Sequence, residues 1–350
     1  MNGLDCAGVV RSLLHQDDIG RIVAQAHGMT GEVTCRLWTI GDNDNYMLWH
    51  NGVPLFVRVY LAGKHWGTGE SDCRFELEFL QHMHTKGVSV AHPLPNLNDD
   101  LLTPLAAPEG TRYLALFSYA NGVLDPFPED DERCAAVGRE LAHAHRAGIG
   151  FVSHHKRFAI DANFVLLRPL QRIAAALAHA PRSRLTALLK VAHVEVMDAL
   201  ATLPARGDGV IFGDFHGSNY HLTANNVTLF DFDLCGVGWH VHDIATWTWD
   251  ARKRFGDEKA KTLLTALLQG YESVLPLPAT SIAALPALMI AREIWLVGEH
   301  CADIESLGAE RLDERYWMRF EERLTTWLTA LPRQVWVERA RVSDELVYGR

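Results

Sequence analysis

The feature that most constrains this chain is a change of hydrophobic period at Asn121-Gly122. Before that point apolar residues alternate or gather in β-branched and aromatic runs; after it nearly every segment repeats at 3.6 residues. Pro54-Leu-Phe-Val-Arg-Val-Tyr-Leu61 is the clearest strand, with Val57, Val59 and Leu61 on one face and Phe56, Arg58 and Tyr60 on the other. That places one charge, Arg58, in mid-strand. Over Ser71 to Lys86 the residues Phe75, Phe79, Leu80 and Met83 fall at helical spacing and Gly87 ends the segment, the one helix expected here. Pro93 to Asp100 predicts a turn or hairpin, followed by a strand from Tyr113 to Tyr119. Beyond Gly122, helices are expected over 133–147, 166–178, 185–203, 244–255, 258–274, 282–306 and 315–331. The exception is Val210 to Cys235, which reads as strand, loop, hairpin and strand. The division expected is therefore a lobe over 1–120, a second over 121–335, and a tail over 336–350.

Composition narrows the function. At 350 residues, 48% hydrophobic and 22% charged, the chain can bury a sizeable core and is not disordered. Lys and Arg number 33 against 43 Asp and Glu, a net charge of −10, with no dense basic block, which argues against nucleic acid or an anionic membrane as partner. Six scattered cysteines, Cys6 among them, without a Cys-x-x-Cys pair fit free thiols in an intracellular setting. Met1 to Arg11 contains Asp5 and no basic run before an apolar stretch, so no secretory signal is expected. Apolar runs such as Ile282 to Ala291 are broken by Pro286 and fall short of the roughly 20 residues that span a bilayer. The expectation is a cytoplasmic protein without a transmembrane helix. Histidine pairs such as His82-x-His84 and His143-x-His145 diverge on a helix and are not read as metal ligands. Trp247, Trp249, Trp295 and Trp317 could cage a quaternary ammonium, but their apolar helical settings favour core packing.

Chemistry concentrates in Ile211-Phe-Gly-Asp-Phe-His-Gly-Ser-Asn-Tyr-His-Leu222, a turn at Thr223 to Asn226, and Val227-Thr-Leu-Phe-Asp-Phe-Asp233. Asp214 precedes Asn219 by five positions, and Asp231 arrives at the far end of the hairpin. Phosphoryl transfer uses this set: one Asp accepts the attacking hydroxyl's proton while an Asn and a second Asp hold Mg²⁺ against the phosphates. The hairpin would return the chain so that Asn219 and Asp231 approach one ion.

Gly213-Asp-x-His-x-x-Asn219, Asp231-Phe-Asp and Gly236-Val-Gly-Trp-x-x-x-Asp243 resemble the aminoglycoside phosphotransferase, choline kinase and type II homoserine kinase superfamily. The resemblance covers most of the chain and is nearest to a bacterial branch that includes the stress-response kinase. It implies an α/β, bilobal protein-kinase-like fold, with a small β-rich N-terminal nucleotide-binding lobe and a larger α-helical C-terminal lobe for catalysis and the acceptor. It implies ATP and Mg²⁺ as cofactors, Asp214 as the base, and Asn219 and Asp231 on the metal. Arg58 would meet the phosphates with Glu76 orienting it, and the segment holding Phe117 and Tyr119 resembles the hinge that contacts adenine. Gly138-Arg-Glu-Leu-Ala-His-Ala-His145 resembles the helix beneath the catalytic loop. Two departures stand out: Phe212 where the family usually has His, and Arg58 where it has Lys. Arg58 keeps the charge and adds a bidentate donor.

The remaining expectations are finer. Asp233 either binds a second metal or accepts backbone hydrogen bonds, and Asp243 braces the catalytic loop. The acceptor is expected to be a small hydroxyl-bearing molecule: an aminoglycoside or other antibiotic, an amino alcohol, or a homoserine-like compound. Arg292, Glu293, Glu299, Asp303 and Glu305 are candidate contacts, and Glu299 with Asp303, spaced i,i+4, could meet an ammonium. A protein Ser/Thr kinase and a nucleotide-binding regulator without turnover are the alternatives. Oligomeric state is not legible in the sequence.

Overall fold

The computed structural model describes residues 8–63, 66–67, 69–178, 181–304, 308 and 310–329; Cys6, Glu305 and the expected tail over 336–350 lie outside them. The chain divides into two compact units. The first holds the chain up to Gly122 together with Val152–Phe158 and Thr228–Asp233, and the second holds the rest.

The first unit contains α1 (Gln16–Ala26), β1 (Val33–Ile40), β2 (Asn43–His50), β3 (Val53–Tyr60), α2 (Glu70–Thr85), β4 (Pro93–Leu94), β5 (Thr103–Ala107) and β6 (Gly110–Ser118). Its antiparallel sheet runs β1-β2-β3-β6-β4, with β5 also on β6. The inward residues of β3, Val57 and Val59, meet Leu114 and Leu116 of β6 in one buried cluster. Ile19 and Val23 of α1 join the same cluster. This helix corrects the expectation of a single helix before residue 120. Only a few of its residues face the core, too short a stretch to announce a period, although Asp17 and Asp18 fill its first turn as a helix start should. The hairpin of this region is β5–β6, with Ala107 opposite Gly110, rather than 93–100. There the Asn96 side chain accepts from the amides of Asn98 and Asp100 and closes a local turn. Two distant segments complete the unit. Leu229 bridges Val90 in parallel, and Phe232 stands edge-on to Phe79 of α2 at 6.2 Å, which anchors the residues around Asp231.

The second unit is helical: α3 (Asp131–Gly148), a π-turn (Asn163–Leu167) running into α4 (Arg168–Leu177), α5 (Ser183–Leu200), α6 (His240–Phe255), α7 (Asp257–Glu272), α8 (Ala279–Ala302) and α9 (Glu314–Thr329). Short strands β7 (Gly209–Ile211), β8 (Tyr220–Leu222) and β10 (Gly236–Gly238) interrupt it, with β7 antiparallel to β10, and β9 (Val227–Leu229) leads into the segment that belongs to the first unit. α3 and α7 approach so closely that a Cβ on Gly138 would lie 2.0 Å from the Leu267 carbonyl oxygen. One on Gly270 would lie 1.8 Å from that of Ala135. Only glycine permits this contact. α8 runs through Pro286 without ending, in keeping with the helix expected over 282–306. It is long and apolar enough to cross a membrane, yet 78% of its most apolar window is buried inside the protein, as in a core helix. The four tryptophans are buried, and the cysteines among the described residues are buried thiols.

Candidate active site

In the first unit the central group is Arg58, 5% exposed in mid-β3. Its Nη1 donates to Glu76 Oε1 of α2 at 3.1 Å and its Nη2 to Asp231 Oδ1 at 2.6 Å. Burial alone would lower the guanidinium's pKa, but Asp231 and Glu76 outweigh it and hold the group firmly protonated. Tyr60, two residues on along the same face, donates its hydroxyl to Glu76 Oε2 at 3.1 Å. Burial and that carboxylate push the phenol well above its ordinary pKa, so it remains a donor. Phe117 of β6 lies under Arg58, with the guanidinium carbon 5.8 Å from the ring centre. The Phe117 side chain is thus committed to packing, while Tyr119, just past the strand end, is half-buried.

Asp231 holds φ of 72°, a left-handed conformation that Asp tolerates better than most residues. Two residues on, the Asp233 carboxylate accepts from the Asn43 side-chain amide at 2.9 Å, a partner that neither reading of this residue anticipated. Arg157 donates to the Asp233 backbone carbonyl and to that of Asp72, and stacks 4.4 Å over Phe158. Arg157 carried no motif in the sequence. Only the return of Val152–Phe158 to this unit reveals it.

In the second unit Asp214 sits just after the turn at Gly213, whose φ is 88° and where a Cβ would lie 2.1 Å from the Leu234 carbonyl oxygen. The loop is held from α6. Asp243 accepts the amides of Phe212 and Gly213, each at 2.8 Å, and His145 Nε2 of α3 at 2.8 Å. Tyr271 lies 2.7 Å from the other ring nitrogen of His145. Burial pushes Asp243 up to about 7 and His145 down to about 3, so at neutral pH His145 is uncharged. It then donates Nε2–H to the carboxylate and accepts the Tyr271 hydroxyl at Nδ1. Two more α6 residues fasten the loop: His242 Nε2 lies 3.2 Å from the Gly213 carbonyl, and Asp250 accepts the Gly217 amide at 3.2 Å. Phe212, at the position where a histidine was expected, is 1% exposed and packs edge-on to Phe215 at 5.4 Å. The bracing histidine comes instead from α3.

Asn219 Nδ2 donates to the Asp214 carbonyl at 2.9 Å, which fixes the orientation of the amide. Asp231 offers a carboxylate with 42% of its side chain exposed. No cluster of three or more His, Cys, Asp or Glu that could hold a metal occurs among the described residues. A carboxamide oxygen and a carboxylate oxygen are each hard donors of the kind Mg²⁺ takes.

Two of the acidic residues expected on α8, Glu293 and Glu299, are otherwise engaged. Glu293 accepts from Arg323 Nε at 2.6 Å and from Trp249 Nε1 at 2.9 Å, and Glu299 accepts from Arg172 at 2.5 Å. Arg292 Nη2 donates to Asp214 Oδ1 at 2.5 Å. Its guanidinium lies 4.4 Å from the Trp295 ring centre and 5.4 Å from that of Trp249. Two of the tryptophans considered for a cage therefore hold a cation of the protein itself.

One unit with an antiparallel sheet and a buried Arg–Glu pair, and one helical unit carrying an Asp-x-x-x-x-Asn loop, are the parts of a protein-kinase-like phosphotransferase. The sequence matches the Phosphotransferase enzyme family over residues 40–277, more than half of the chain, and the chain belongs to that family. An uncharacterized protein of Deinococcus radiodurans is 32% identical over 322 residues, 91% of each chain. A homoserine kinase of Rhizobium etli is 28% identical over 255 residues, covering 71% of this chain and 73% of that one. Among solved structures, the amicoumacin kinase hAmiN in complex with AMP-PNP, Ca²⁺ and Ami superposes with a TM-score of 0.70 at 17% identity, over 89% of this chain and 93% of that one.

Proposed function

We propose that this enzyme transfers the γ-phosphoryl group of ATP, with Mg²⁺, to a hydroxyl of a small molecule in the cytoplasm. The acceptor oxygen bonds to the γ-phosphorus, the bond to the β–γ bridging oxygen breaks, ADP departs, and the hydroxyl proton passes to Asp214. Arg58, aimed by Glu76, binds the phosphates of the nucleotide, whose base meets the Phe117–Tyr119 segment. Asn219 and Asp231 would hold Mg²⁺, which supplies positive charge against the phosphates. The observation that carries this reading is the fixing of Asp214. Its turn is locked by the Asp243 carboxylate, and its own carbonyl is tied to Asn219, so the backbone that carries the carboxylate is set in advance. Family membership and the nucleotide-bound neighbour support the reading. The test is acceptor-dependent ADP release from Mg-ATP across antibiotics, amino alcohols, hydroxy acids and peptides. Release with a small hydroxyl compound is expected; a preference for polypeptide, or Mg-ATP binding without any turnover, would overturn it.

A further inference from the structure

We infer that the phosphoryl acceptor carries an anionic group, a carboxylate or similar oxyanion, recognised by Arg292 and Trp295 beside Asp214. This deepens the proposed function and rests on Asp214 being the base.

On α8, Glu293 is held by Arg323 and Trp249, and Glu299 by Arg172, so these two carboxylates are compensated from within. What α8 and the start of α4 leave without a partner are donors. Arg292 is 5% exposed and Trp295 is 8% exposed; Arg292 Nε and Trp295 Nε1 are buried and make no hydrogen bond. They stand three residues apart on one helix, with the guanidinium stacked on the indole. Arg168, at the first position of α4, also has Nε and Nη2 buried without partners. Its guanidinium lies 5.1 Å from the Phe164 ring centre, and that ring lies 6.0 Å from Trp295. Burial and the neighbouring Arg172 depress the Arg168 pKa against the opposing pull of Glu299 and Asp161.

Buried N–H groups without acceptors cost free energy that a ligand rich in lone pairs removes. An oxyanion supplies those lone pairs and compensates the cations. A neutral hydroxyl compound supplies only the lone pairs, and an ammonium adds further donors and further positive charge. Arg292 also sets the distance. One edge of its planar fork, Nη2, is on the Asp214 carboxylate that takes the hydroxyl proton, while Nε of the same plane is unpartnered. Hydroxyl and anion are therefore close together, as in a short hydroxy acid.

The test compares acceptors of equal length in ADP-release kinetics with Mg-ATP: 4-hydroxybutyrate, 1,4-butanediol and 4-amino-1-butanol, with the three-carbon series beside them. The expected order is acid, then diol, then amine, with the acid at least tenfold above the amine in kcat/KM. Arg292→Lys and Trp295→Phe should each reduce the acid-over-diol ratio about tenfold, chiefly through KM. A preference for the amine, equal use of all three, or variants with an unchanged ratio would overturn the inference. Calorimetric titration of the same compounds into the Mg-ADP complex covers the case of no turnover. Tighter binding of the acid supports the site, and equal or weaker binding overturns it. ADP release driven by the amine alone would sink the inference and leave the phosphotransferase reading intact; acid binding with no phosphoryl transfer to any acceptor would do the reverse.

Discussion

Arg58 and Arg292 are both buried arginines that hold a carboxylate of the site, and they are completed to different degrees. Arg58 lies between two carboxylates, one of them on a residue read as a metal ligand, and a phenylalanine ring sits beneath it. Arg292 has one carboxylate, two tryptophan faces and a buried Nε with nothing to bond. A buried cation compensated on both sides is set before any ligand arrives, whereas one compensated on a single side is incomplete until something enters. Under the proposed function, the first unit would be a pre-formed nucleotide clamp and the second an acceptor-dependent centre.

Breaking the comparison at its catalytic end should give the largest effect. Asp214→Asn should lower phosphoryl transfer by about 10²–10⁴-fold, the range for a positioned proton acceptor. Steady-state kcat with any productive acceptor checks this, and undiminished turnover would remove Asp214 from the mechanism. The first unit should respond in stability as well as activity. Arg58→Ala leaves Glu76 buried beside a lost cation and should cost about 3–5 kcal/mol of folding free energy by denaturant titration. Arg58→Lys, which keeps a charge but not the fork that reaches Glu76 and Asp231 together, should lose less and retain measurable ATP use. Equal losses in the two variants would show that charge plays no part there.

A smaller effect concerns acid stability of the brace under Asp214. His145 and His240, their rings stacked 4.5 Å apart, are each lowered by burial from 6.5 to about 3. Between those values the unfolded chain takes up protons that the folded chain refuses, so stability is lost as pH falls from 6.5 towards 3. Asp243, raised by burial from 3.8 to about 7, works in the opposite sense, with stability lost as pH rises across that interval. Two histidines against one carboxylate leave a net loss on acidification. His240→Gln should therefore show a shallower fall in Tm between pH 7 and pH 5 than the wild type. An identical fall would mean that His240 is not held neutral.

The two units differed in how far sequence reveals them. The strand around Arg58 and the helix around Glu76 could be read because alternation and 3.6 spacing are local signals, and Gly213-Asp214 could be read because a short turn carries its own residues. Arg157, Asn43 and the bond from His145 to Asp243 could not. Each acts on a residue more than 70 positions away, across a chain path that no local period encodes. The acidic character of α8 was legible as composition and misleading as chemistry, since Arg172 and Arg323, from two other helices, take up Glu299 and Glu293. A carboxylate's partner is set by packing, and packing is what a single sequence shows least.

The central claim, that metal and nucleotide are held by one set of residues and the proton by another, is tested most directly by titrating ATP with and without Mg²⁺ into Asp214→Asn beside Asp231→Ala. The account predicts that Asp214→Asn binds ATP with the wild-type metal dependence while Asp231→Ala loses that dependence, because a charged oxygen ligand is gone. Full metal dependence in Asp231→Ala, or its loss in Asp214→Asn, would contradict it.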